Sequence, residues 1–254
     1  MTSDVEAPGP DIVRAIEERA FNAWPALETR VVQGWLMRFS AGYTKRANSL
    51  NAWRPEAPLA DILPHALELY RGRHLPLVVR LSPLVDPDAD NLLEARGFRR
   101  IDETIVMTAA LQEQAADHNP DIHIASTATP NWLEGFAVAN GVSAANRAVH
   151  DAMVAKIAAP VAFARLDTAG TPAAWGIAVV ERGLVGFFDI VTAPAKRRQG
   201  AAQRLVRHLQ GWAHAHGARS AYLQVVASNA PAIALYRHLG FTETYRYHYR
   251  IAPD

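Results

Sequence analysis

Apolar residues recur along this chain with two periods, and the switches between them mark out its elements. Ile12, Ala15, Ile16 and Ala20 share one face of a helix that Trp24-Pro25 ends. Residues 29–39 carry Val31-Val32 and Gly34-Trp35-Leu36-Met37-Arg38-Phe39, which reads as strand. Ser40-Ala41-Gly42-Tyr43 supplies a hairpin turn, and residues 44–53 return with a load of polar side chains, Arg46, Asn48, Ser49 and Asn51. Either that strand is an exposed edge or its polar groups converge on something; the exposed edge is the plainer expectation. Residues 59–71 have helical spacing broken by Pro64, which predicts a kink or a later start. A short strand over 75–81, a helix over 88–96 stopped by Gly97, and a strand over 98–108 follow. Residues 111–121 are polar and read as a linker, and residues 1–10 as disordered.

After the linker the pattern predicts a strand over 122–125 and helices over 132–140 and 144–158. Antiparallel strands over 161–166 and 173–180 come next, then a strand ending in Phe187-Phe-Asp-Ile-Val-Thr192. A turn through Arg197-Arg198-Gln199-Gly200-Ala201-Ala202 opens a long amphipathic helix that Gly217 closes. A strand over 221–226 and a short helix ending at Leu239-Gly240-Phe241 complete a βαβα unit with a parallel pair. Gly200 lets the backbone approach a ligand, and Ala201 and Ala202 keep that approach open. The unpaired amides of Gln199 to Ala202, the helix dipole and the cations Lys196, Arg197 and Arg198 make an anion site. An ordinary basic helix start on a solvated face is the bland alternative.

This block resembles the GNAT superfamily of N-acetyltransferases. Arg197-x-x-Gly200-x-Ala202 is similar to the family's turn for the pyrophosphate of acetyl-CoA, with Ala202 in place of the commoner Gly. Asn229 and Tyr236 resemble its Asn…Tyr pair, and Tyr236-Arg-His-Leu-Gly-Phe241 its Tyr-x-x-x-Gly-Phe ending. The resemblance implies an α+β GNAT-like fold, with acetyl-CoA as cosubstrate and no metal. It places acetyl-CoA against Arg197, Arg198, Gln199, Gly200, Ala201, Ala202 and Asn229, and its pantetheine arm against the backbone of Ile190, Val191 and Thr192. Tyr236 becomes the general acid for the departing thiolate. Its other reading is a packed aromatic with its hydroxyl at the rim. Asn229 also reads as a helix N-cap.

Asp189 is the carboxylate nearest the implied reaction centre and the candidate general base, with Glu181 and Glu134 behind it. Its alternative role is as the salt-bridge partner of an arginine. His208, His214 and His216 fall on or near the long helix and read as solvated.

The two halves share a strand, turn, helix, Gly-Phe, strand ending, at 77–98 and at 222–241. Ala57-Pro58-Leu59-Ala60 stands where the first half would carry a glycine turn, and Glu94 near the Tyr position. Two tandem GNAT-like domains are therefore expected, a degenerate one over 1–110 and the acetyltransferase over 122–254, joined by the linker 111–121. An unrelated α/β domain is the alternative for the first half.

The remaining composition narrows the classes. The chain has 254 residues, no cysteine and a net charge of +1, which excludes disulfides, thiol nucleophiles and thiolate metal sites. Near-neutral charge gives no argument for nucleic acid, and no apolar run is long enough for a membrane helix. The acidic, apolar-poor start does not read as a signal peptide, so a cytoplasmic protein is expected. The reading is an acetyl-CoA-dependent transferase acting on a primary amine of a small molecule or protein; a silent acyl-CoA sensor or scaffold is the alternative. A monomer is favoured over a homodimer, because the packing of two halves replaces a dimer contact. Residues 132–147 and 44–51 are where an acceptor cleft would be sought.

Overall fold

The computed structural model describes residues 9–113 and 119–253, so most of the expected disordered start and the middle of the expected linker lie outside the described residues. Along the chain the elements are α1 (Pro10–Ala23), β1 (Glu28–Val32), β2 (Trp35–Phe39), β3 (Leu50–Ala52), α2 (Leu59–Arg71), β4 (Val78–Leu81) and α3 (Ala89–Ala95). Then come β5 (Arg99–Ala110), β6 (Ile122–Ala125), α4 (Pro130–Asn140), α5 (Ala144–Val154), β7 (Val161–Thr168), β8 (Thr171–Glu181) and β9 (Leu184–Thr192). The last four are α6 (Ala201–Ala215), β10 (Ser220–Val226), α7 (Ala230–His238) and β11 (Thr242–Ile251). The described residues form two compact units, residues 9–106, 225–229 and 243–253, and residues 107–113, 119–224 and 230–242. No helix among the described residues is long and apolar enough to cross a membrane.

In the first unit the strand order is β1-β2-β3-β4-β11-β5. β1, β2 and β3 are antiparallel, β3 and β4 parallel, and β4 and β11 antiparallel. α2 links the parallel pair. It buries Leu59, Ile62, Leu63, Ala66 and Tyr70, the stripe that helical spacing dictates. That stripe meets Trp35, Met37, Phe39, Leu50, Val79, Leu93 and Phe98 in one core.

Three expectations change here. Residues 29–39 are two strands, because Gln33 and Gly34 both take left-handed φ angles, 46° and 77°, and turn the chain back. Only glycine fits at 34, where a Cβ would stand 1.6 Å from the Arg54 carbonyl oxygen. The polar return is not an exposed edge: β3 lies between β2 and β4, and Asn48, Ser49 and Asn51 are buried. Its polar groups converge on the chain itself. Asn48 Oδ1 accepts the N–H groups of Ser40 and Gly42 at 2.7 and 2.9 Å, and its amide donates to the carbonyls of Tyr43 and Thr44. The edge is β1. Finally, of the two outcomes expected at Pro64 the later start is the one overturned: α2 starts at Leu59 and carries Pro64 inside it.

In the second unit β6, β7, β8 and β9 are antiparallel neighbours and β10 is parallel to β9. The right-handed crossover expected of such a pair is α6. It buries Leu205, Val206, Leu209 and Ala213 and packs against β7, β8 and β9. Antiparallel strands feeding a parallel crossover are the α+β arrangement anticipated from the sequence.

Candidate active site

The turn before α6 comes first. Gly200 is the residue preceding the helix, with φ 75°, and Arg198 is also left-handed at 59°. The first intrahelical bond runs from Arg204 N–H to Gly200 C=O, 3.0 Å, which leaves the amides of the opening turn pointing outward. A Cβ built on Gly200 would meet no atom within 4 Å, so open space lies against this backbone. Arg197, Arg198, Gln199 and Gly200 are exposed, Ala202 is half-buried and Ala201 is buried in the helix's core face. Among the described residues Lys196, Arg197 and Arg198 form no salt bridge, and Gln199 donates to the Ala195 carbonyl at 3.3 Å. Left-handed turns, free amides and uncompensated cations are what a phosphate group requires.

β9 and β10 fork beside this turn. Their parallel register runs from Leu184–Ser220 to Phe187–Leu223 and ends there, although β9 continues to Thr192. Ile190, Val191 and Thr192 therefore lie beyond the last pair, half-buried, while Val191 and Thr192 stay paired to Trp175 and Ala174 of β8 on the other side. Beyond Phe187 the β9 backbone has, among the described residues, no parallel partner on its β10 side.

A bulge sits at the fork. Trp175 faces Val191 and Ile177 faces Phe188, so Asp189 and Ile190 both stand opposite Gly176. Asp189 takes a left-handed φ of 51°. Bulges re-aim a side chain, and this one sends the Asp189 carboxylate to His150 of α5, Oδ2 to Nε2, 2.8 Å. The expected arginine partner is thus a histidine. His150 is 1% exposed, stacked on Phe136 with centroids 4.7 Å apart, and its Nδ1 lies 3.1 Å from Asp151 Oδ1. Burial opposes its charged form, but the hydrogen bonds and charges of Asp189 and then Asp151 outweigh it, and the pKa of His150 is raised.

Sequence reasoning missed His150. The signal was its place in the stripe His150, Met153, Val154, the buried face of α5. A histidine in an apolar stripe needs partners for both nitrogens. The two reserve carboxylates sit elsewhere: Glu134 pairs with Arg147 and Glu181 with Arg182. His216 is exposed and stacks on Trp212, and His208 and His214 are half-buried.

Tyr236 lies on α7, 8% exposed, with burial pushing its hydroxyl up to about 12. It therefore stays protonated at neutral pH. Among the described residues its hydroxyl has no hydrogen-bond partner, so its proton is uncommitted. Asn229 immediately precedes α7 and is exposed; its N–H donates to the Val226 carbonyl at 2.9 Å. Among the described residues no group of three or more His, Asp or Glu side chains is placed to hold a metal ion.

Known proteins share this plan. A model of the family described as "Probable histone acetyltransferase Rv0428c C-terminal" matches residues 11–250. The "Uncharacterized N-acetyltransferase YobR" of Bacillus subtilis is 28% identical over 246 residues, 95% of this chain and 99% of that protein. The "[Ribosomal protein bS18]-alanine N-acetyltransferase" of Escherichia coli K12 is 40% identical over 91 residues, 35% of this chain and 62% of that one. Among solved structures, a GCN5-related N-acetyltransferase from Kribbella flavida superposes with a TM-score of 0.67 at 16% identity, covering 96% of both chains. With the family model spanning nearly all of it, this chain belongs to the Rv0428c C-terminal family and is a GNAT N-acetyltransferase.

Proposed function

We propose that the second unit binds acetyl-CoA and transfers its acetyl group directly to a primary amine. The observation that carries this reading is the fork of β9 and β10 leading to the left-handed, cation-flanked turn at Gly200. The amides of Gln199 to Ala202, with Arg197 and Arg198, would hold the pyrophosphate, and the free backbone of Ile190, Val191 and Thr192 would pair with the pantetheine arm. An N–H of this segment facing the thioester oxygen would stabilise its developing charge, a contribution of about 3 kcal/mol. Tyr236 would give its proton to the departing sulfur, and Asp189 is the carboxylate on the acceptor side.

The family description and the E. coli relative's name both concern protein substrates, so protein amines are the first acceptors to try. The first unit reads as a decayed copy. It repeats antiparallel strands leading through a helix into a parallel pair, but Pro58, which has no amide to donate, precedes α2 where Gly200 precedes α6. We expect a monomer that binds one acetyl-CoA. Calorimetric titration of acetyl-CoA into wild type and Gly200→Glu tests this, with Gly200→Ala separating backbone strain from charge. One equivalent bound by wild type and none by the glutamate variant supports it. No binding to wild type would favour a scaffold instead.

A further inference from the structure

His150 is buried in α5 with a carboxylate on each ring nitrogen, Asp189 from the β9 bulge and Asp151 from its own helix. Two ionised carboxylates are both satisfied only by an imidazolium, which has N–H on both sides. When that proton leaves, Nδ1–H stays on Asp151 and the Nε2 lone pair faces Asp189 Oδ2 at 2.8 Å. Lone pair against carboxylate is repulsive, and one incoming proton relieves it. The Arg147 guanidinium opposes a second cation here, and the Glu134 carboxylate offsets it. Arg147, one turn earlier on α5, reaches Asp151 at 3.8 Å and also pairs with Glu134 of α4, while Phe136 of α4 covers the ring. The side chain of Asp189 is 10% exposed and that of His150 1%, so the carboxylate is the more solvent-accessible end of the pair.

We propose that the His150–Asp189 pair is the proton acceptor of the acetyl transfer, Asp189 receiving the proton at the site and the buried imidazole storing it. This rests on the acetyltransferase reading above. The neutral amine nitrogen bonds to the thioester carbon as the carbon–sulfur bond breaks. The proton lost by nitrogen passes through the Asp189 carboxylate to His150 Nε2. Tyr236 protonates the sulfur to give the free thiol. The imidazolium then releases its proton to solvent and the phenolate regains one, so the products are the amide and the thiol with no net proton left on the protein. Each turnover must start from the pair without its shared proton.

The test is a pH–rate profile of thiol release, followed with a thiol reagent to which this cysteine-free chain is silent. Acetyl-CoA is supplied with an alanine-initiated peptide, a lysine-containing peptide and spermidine. The wild-type kcat/KM should rise with pH along a limb set by His150, above the ordinary histidine value of about 6.5. Asp151→Asn should move that limb to lower pH, because it removes a charge that favours the imidazolium. His150→Gln should abolish the limb and lower kcat about 100-fold, with acetyl-CoA affinity by calorimetry unchanged. The amine's own ionisation gives a second limb that stays put in every variant. In parallel, the His150 ring resonance, identified by its loss in His150→Gln, should titrate above the ordinary value and fall in Asp189→Asn. Turnover with an unmoved limb, or a His150 titration indifferent to Asp189→Asn, overturns the proposal alone. No turnover with any of the three amines overturns the acetyltransferase reading and the catalytic assignment with it, while the resonance still reports whether the pair shares a proton.

Discussion

Tyr236 and Phe241 pack edge to face, ring centroids 5.9 Å apart at 66°, and Phe241 meets Phe187 of β9 in the same way at 6.1 Å. The loop closing α7 makes this possible, with Phe241 N–H donating to the Tyr236 carbonyl at 3.0 Å. The ring of Tyr236 is thus held by packing and its hydroxyl by nothing among the described residues, as the role proposed for it as proton donor requires.

Tyr236→Phe separates the two roles. The phenyl ring keeps the aromatic contacts, so stability should change by less than about 1 kcal/mol. Removing a general acid should lower kcat about 100-fold, with the affinity for acetyl-CoA unchanged. Steady-state kinetics and calorimetry on the same preparation decide it. A kcat within threefold of wild type would leave Tyr236 as packing only.

How much of this was legible beforehand follows from which signals are local. The Arg197 to Ala202 turn, the strand before it and the Tyr236 to Phe241 ending are short-range patterns, and the structure builds each where its residues predict. The order of antiparallel strands and parallel crossover was readable for the same reason. Asp189 could be named but not its partner, since His150 is 39 residues away and the two meet through a bulge that no periodicity reports. The segment around Asn48 was misjudged because polar side chains ordinarily mark exposure. Here the Asn48 amide replaces backbone partners inside a turn, which only the fold reveals.

Arg197→Gln and Arg198→Gln should weaken acetyl-CoA binding without weakening the fold. Both side chains are exposed and, among the described residues, form no salt bridge, so no internal partner is orphaned by their loss. Each should raise Kd about tenfold at low ionic strength, the effect of one charge-assisted contact to phosphate of about 1.4 kcal/mol. Screening should shrink the difference from wild type in 0.5 M salt, where the Debye length falls to roughly 4 Å. Calorimetry at two salt concentrations tests this; a salt-independent loss would point to altered turn geometry instead.

The first unit carries a different kind of dependence. Glu17 of α1 is fully buried and receives Arg80 of β4 on both carboxylate oxygens, with Tyr245 O–H donating to Oε1 at 2.5 Å. The Arg80 guanidinium also lies 3.7 Å over the Tyr247 ring. Breaking one side of such a pair leaves a buried charge, so Glu17→Gln should destabilise by about 3–5 kcal/mol. Glu17→Leu combined with Arg80→Met should recover much of that loss, because it removes both charges together. Urea denaturation of the three variants gives the comparison. A double variant no better than Glu17→Gln would show that the pair stabilises beyond mere charge balance.

Acid stability should depend on Asp90 of α3. Its Oδ1 accepts Arg250 Nε at 2.7 Å and lies 2.9 Å from His248 Nε2, tying α3 to β11 within the first unit. The hydrogen bond from Arg250, followed by that from His248, outweighs partial burial and pulls the carboxyl down to about 2. A carboxylate more acidic in the folded state than in the unfolded chain stabilises the fold above its unfolded pKa of about 4. That contribution drains away as pH falls from there through about 2. Asp90→Asn should therefore be less stable at neutral pH by about 1 kcal/mol, allowing for solvent at a partly exposed pair. Its denaturation midpoint should fall less steeply than that of wild type between pH 4 and pH 2, and the two curves should converge at the acid end. Parallel curves across that window would mean that the ion pair does not hold β11 in solution.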